Sequence, residues 1–154
     1  MPTHYEGSEQ ERRALDTYIK FVRAAESILA HLSGELAERD LTLSQFGTLE
    51  LIYHLGPLCQ KTIGEKLLKS GGNITMVVNN LEARGLVTRK RRESDRRFVS
   101  VELTGAGREL IEEVLPEHVD AIVDIFSVLS AEEQETLASL CKRVGLRLTD
   151  EESQ

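Results

Sequence analysis

The sequence predicts a mostly α-helical chain of the α+β class, with long helices toward both ends and one β-hairpin between them. Three observations predict it. Apolar residues recur at three- and four-residue steps over most of the length, start signals of the form Ser/Thr-x-x-Glu/Gln open several of these stretches, and after Gly85 the period drops to two around a cationic turn. With 154 residues, 40% apolar and 29% charged, the chain has a globular composition and the length of one domain spanning 1–154.

The first helix runs from Ser8 to about Arg39, where Leu15, Tyr18, Ile19, Val22, Ala25, Leu29, Leu32 and Leu36 form an apolar side uninterrupted by proline. Thr42-x-x-Gln45 has the form of a capping box and opens a second helix through His54, which Gly56-Pro57 ends. Thr62-x-x-Glu65 gives the next start signal, for a short helix carrying Ile63, Leu67 and Leu68 that stops near Ser70-Gly71-Gly72. In GGNITMVVNNLEARG the residues Ile74, Val77, Val78 and Leu81 fall on one apolar stripe, and Gly85 is placed to end the helix. The opposite side carries Gly72, Met76, Asn79 and Ala83, flanked by Asn73, Thr75 and Asn80. It lacks the Glu and Lys that ordinarily cover a surface helix, so it can approach another surface closely.

LVTRKR and FVSVEL then alternate as two strands across the turn RESDRR, a hairpin over 86–103. Thr104-Gly105 leads into a helix to about Leu129, with Leu110, Ile111, Val114, Ile122, Ile125 and Phe126 as its apolar side and a kink at Pro116. Ser130-x-x-Glu133 caps a last helix bearing Leu137, Leu140, Cys141 and Val144, and the acidic tail after Leu148 is expected to fray.

Charge is unevenly placed. The chain as a whole carries −7, yet Lys61 to Arg97 holds ten Lys/Arg against four acids, a balance of +6 that leaves −13 for the rest. Six of those cations crowd into Arg89–Phe98. Such segregation suits a protein that presents one face to a polyanion and keeps the remainder soluble. A short helix, a Gly-containing turn and a second helix make a helix-turn-helix over 42–104, with the hairpin as a wing; in that arrangement the second helix enters the major groove of double-stranded DNA. The expected groove contacts are Ser70, Gly72, Asn73, Thr75, Met76, Asn79 and Asn80, with Asn79 and Asn80 reaching adenine edges and Thr75 or Met76 touching thymine methyls. Arg89, Arg91, Arg92, Asp95, Arg96 and Arg97 form the wing's contact set, in which Asp95 fixes a neighbouring arginine, and Lys61, Thr62 and Lys69 are expected on phosphates. The alternative is a winged-helix module that holds a protein partner without reading DNA.

Asn73-Ile74-Thr75, LEARGLV from Leu81 to Val87, the Asp95-Arg96-Arg97 tip and Leu103-Thr104-x-x-Gly107 together resemble the MarR family of winged helix-turn-helix regulators. The resemblance covers nearly the whole chain. It implies a homodimer whose first and last helices, 8–39 and 105–148, interlock through residues such as Leu15, Ile122, Ile125, Phe126, Leu137, Leu140 and Val144. It further implies a pseudo-palindromic operator, an ion pair between Asp95 and Arg97 with that arginine in the minor groove, and repression relieved by a phenolic or other small ligand, by oxidation or by a metal.

An effector pocket for an aromatic ligand would draw on Phe21, Phe46, Tyr53 and His54, each of which also fits ordinary packing. Cys59 and Cys141 are expected to be unreactive thiols, because nothing near either in sequence depresses its pKa, and their spacing marks neither a disulfide framework nor a zinc finger. His31, His54 and His118 lack the paired spacing of a metal site, so no metal or other cofactor is expected. No GxSxG, HExxH or phosphate-binding glycine loop is present, and no catalytic function is expected. No apolar run is long enough to cross a membrane and the N-terminus lacks a signal-peptide pattern, which points to the cytoplasm.

Overall fold

The structure, a computed structural model, describes residues 3–152. The chain divides after His118 into two compact units. In the first, α1 (Glu9–Ala37) begins at a full capping box: the Ser8 hydroxyl accepts from the Glu11 N–H while the Glu11 carboxylate accepts from the Ser8 N–H. The expected box at Thr42 and Gln45 likewise opens α2 (Leu43–Leu55), and Gly56 ends it at φ 79°, in the left-handed half of the map where a side chain is disfavoured. Next come α3 (Gln60–Leu67), α4 (Gly71–Ala83) and an antiparallel hairpin of β1 (Val87–Arg91) and β2 (Val99–Leu103), paired from Val87↔Leu103 to Arg91↔Val99. Then α5 (Gly105–Phe126), whose residues through His118 belong to this unit and the rest to the second, starts where the Thr104 hydroxyl accepts from the Gly107 N–H, and it contains Pro116.

The core of this unit gathers Leu36, Leu49, Ile52, Ile63, Ile74, Val78, Leu81, Val101 and Ile111 from α1 to α5 and the hairpin. Ile74, Val78 and Leu81 are wholly buried. Burial of each aliphatic side chain is worth roughly 1.5–3 kcal/mol, so these three alone fix the rotation of α4 about its axis. The helix ends as the glycine predicts. The Leu86 N–H reaches the Leu81 carbonyl and the Gly85 N–H the Glu82 carbonyl, with Gly85 at φ 72°, a Schellman closure.

Three expectations are corrected. The third helix begins at Gln60, with Cys59 as its N-cap, so Thr62-x-x-Glu65 lies inside it and is no cap. The cause is non-local: Leu58 exchanges two backbone hydrogen bonds with Val101 of β2, and the chain turns into the helix as it leaves that bridge. Leu68 is not a buried helical residue; it caps α3 in the left-handed region at φ 54° and stands 88% exposed. The fifth helix stops at Phe126, not near Leu129, because the carbonyls of Phe126 and Leu129 accept from the Gln134 side chain in the following turn.

In the second unit, α6 (Ala131–Glu152) opens on the expected box, Ser130 N–H to the Glu133 carboxylate and Glu133 N–H to the Ser130 hydroxyl. The helix continues past Leu148 through Glu152.

Candidate nucleic-acid interface

With Ile74, Val78 and Leu81 turned inward, α4 presents Gly72, Asn73, Thr75, Met76, Asn79, Asn80 and Ala83 to solvent. Met76 is 74% exposed. Ser70 is the N-cap, its hydroxyl accepting from the Asn73 N–H at 3.2 Å. The outer side is therefore neutral, short and bounded by a tight turn, as the major groove requires of a helix that enters it.

Behind that side lies a hydrogen-bond network that sequence reasoning did not foresee. Arg89 of β1, only 24% exposed in its side chain, points back at the helix and not out from the wing. Its guanidinium donates to Glu82 at 2.8 Å, to the Asn79 Oδ1 at 2.6 Å and to the Gln60 Oε1 at 3.0 Å, and its backbone N–H donates to Glu82 as well. Gln60 passes the chain on, donating to the Thr75 hydroxyl, which donates to the Gly71 carbonyl. On the other flank the Gln45 Nε2 donates to the Asn80 Oδ1 at 2.9 Å, while the Gln45 Oε1 accepts from the Thr42 N–H. Gln45 thus joins a helix cap to the outer side of α4. Separations of 35 and 29 residues hide these pairings from a sequence pattern.

At the wing tip, Asp95 accepts from the Arg97 backbone N–H at 3.0 Å and pairs with its guanidinium at 3.2 Å, the pairing implied by the resemblance; the Arg97 side chain stays 91% exposed. Lys90 is bridged to Glu102 at 2.8 Å. Arg91, Arg92 and Arg96 line one open concavity with Glu93, and among the described residues none of the three has an ion pair. Lys61 and Lys69 are exposed beside α3, Lys61 only 4.0 Å from Glu65. The Thr62 hydroxyl is engaged elsewhere, 3.2 Å from the Cys59 sulfur.

That pairing revises the expectation of two inert thiols. The Thr62 hydroxyl holds the Cys59 thiol below its ordinary pKa, helped by backbone N–H groups at the start of α3 and opposed by partial burial. The aromatic set does not converge on one pocket. Phe46 is core and stacks on His118 at 4.3 Å, Tyr53 lies beneath the Arg108 guanidinium, His54 is exposed and Phe21 stands on the open side of α1. A half-open pocket of about 160 Å³ in this unit lies among Glu35, Leu36, Arg39, Val114, Glu117 and His118, where Arg39 is ion-paired to Glu113 and Glu117. Among the described residues no group of three His, Cys, Asp or Glu is placed to hold a metal, and no helix is long and apolar enough to cross a membrane.

The residues expected to dimerise are open to solvent in the single chain. Leu137, Leu140 and Val144 of α6 are 38%, 48% and 62% exposed, and Leu15, Ile122, Ile125 and Phe126 are partly exposed.

Comparison with known proteins places this geometry. The MarR family model matches residues 41–99, which contain α2, the helix-turn-helix and most of the hairpin. The HTH-type transcriptional regulator MhqR of Bacillus subtilis is 37% identical over 134 residues, 87% of this chain and 92% of that protein. Among solved structures, the Staphylococcus aureus MepR–DNA complex is 25% identical with a TM-score of 0.74, covering 91% of this chain and 98% of that one. AbsC of Streptomyces coelicolor, described as a MarR family transcriptional regulator, shares the fold at a TM-score of 0.82 and 21% identity, over 95% of this chain and 99% of that one.

Proposed function

The chain belongs to the MarR family and is a DNA-binding transcriptional regulator, and from that premise we propose that it acts as a ligand-responsive homodimeric repressor of a pseudo-palindromic operator. The observation that carries the reading is the pairing of a neutral, slim helix side with a wing whose Arg91, Arg92 and Arg96 have no ion-pair partner among the described residues. Cations left without partners in the free protein gain them from phosphates, and each such pairing releases condensed counterions. The helix positions the wing and reads bases; Arg97, oriented by Asp95, enters the minor groove.

Dimerisation is supported by the apolar residues that α6 leaves uncovered, from Leu137 to Leu148. Two copies place two reading heads on one side of the duplex about 34 Å apart, one helical turn. A small phenolic or other aromatic ligand that alters this separation lowers affinity without touching DNA. Sedimentation equilibrium at micromolar concentration, followed by titration onto duplex from upstream of its own reading frame, tests the assembly. The expected result is a free dimer and two chains per bound site; a free monomer binding one chain per site contradicts it.

A further inference from the structure

The network behind α4 settles which end of each asparagine amide faces inward. Arg89 has only donors, so Asn79 must answer it with oxygen. The Thr42 N–H is also a donor, so Gln45 must offer it oxygen and turn its nitrogen to Asn80, which must again reply with oxygen. The Thr75 hydroxyl donates to Gly71 and accepts from Gln60. The side-chain oxygens of Thr75, Asn79 and Asn80 thus each accept one bond from a donor of α3, β1 and α2 respectively, and the two donors that serve the asparagines, Gln45 and Arg89, are themselves partly buried. What the asparagines hold outward is N–H.

We propose that Arg89 and Gln45 are specificity-determining positioning residues that set the reading polarity of α4, so that Asn79 and Asn80 present donors and select guanine, whose N7 and O6 both accept. This departs from the adenine contacts expected of free asparagines, since adenine places a donor, N6, where an outward amide oxygen would be required. The inference rests on α4 docking in the major groove.

Selection of the full-length chain on a pool of random duplexes tests it. Asn79→Ala and Asn80→Ala, each abolishing preference at one base pair, assign the two positions. The wild type is expected to take guanine at both. Gln45→Glu keeps an acceptor for the Thr42 N–H but offers Asn80 an oxygen, so Asn80 reverses: its base preference should move from guanine to cytosine or adenine by at least about fivefold, with the Asn79 position unchanged. Should circular dichroism show that Gln45→Glu is unfolded, Asn80→Asp puts the same question, since it keeps the bond from Gln45, turns a second oxygen outward and should favour cytosine. Adenine opposite Asn79 and Asn80 in the wild type, or guanine retained opposite residue 80 in the folded variant, overturns the proposal alone. Enrichment of no sequence overturns it together with groove docking.

Discussion

Of the six cations between Arg89 and Phe98, three hold carboxylates and, among the described residues, three do not, and the two sets have different work. An exposed bridge such as Lys90–Glu102 is worth about 0–1 kcal/mol and exchanges readily for phosphate. Arg89, with three side-chain partners and little exposure, cannot leave its place without stranding Asn79 and Gln60. The sequence itself points only to a neighbouring arginine for Asp95, and the family resemblance singles out Arg97, whereas Arg89 reads there as one more wing cation. Cys59 is misread for a related reason: the Thr62 hydroxyl is near in sequence, but only a helix starting at Gln60 folds it back onto the sulfur. Because the folded thiol's pKa is lowered, its thiolate persists to lower pH than in a free cysteine. The rate of Cys59 alkylation by iodoacetamide against pH should therefore inflect below the free-cysteine value, and Thr62→Val should raise the inflection; coincident curves for the two proteins would refute this origin.

Helix starts are the most legible features at the scale of elements. Ser8, Thr42 and Ser130 each stand three residues before Glu or Gln, and each forms a reciprocal box because every donor and acceptor involved lies within one turn. Where the deciding interaction is distant, the pattern misleads, as the Leu58–Val101 bridge does for α3. Gly107 belongs to the same class of long-range constraint. A Cβ there would come within 2.0 Å of the Leu86 carbonyl oxygen, at the junction where α5 crosses the stop of α4. Gly107→Ala should cost about 1–3 kcal/mol of stability through this overpacking. Urea unfolding at constant m-value checks it, and an unmoved midpoint would show that the junction yields freely.

At the scale of the whole molecule, the sequence discloses the segregation of charge, +6 over 61–97 against −13 elsewhere, but not which cations are free to use it. Arg91, Arg92 and Arg96 emerge as the set without ion pairs among the described residues only once the hairpin register and its bridges are known. The uncovered apolar residues of α6 are likewise visible in the pattern as a helix side, and only the fold shows that the single chain leaves them exposed.

The salt dependence of duplex binding by the wild type and by a variant with Arg91, Arg92 and Arg96 all changed to Ala tests the central claim most directly. The logarithm of the wild-type binding constant should fall linearly with the logarithm of salt concentration, and the variant's slope should be shallower by about 0.9 for each phosphate it no longer neutralises. Equal slopes for the two proteins, or a wild-type affinity that salt leaves unchanged, would contradict the role of these three arginines.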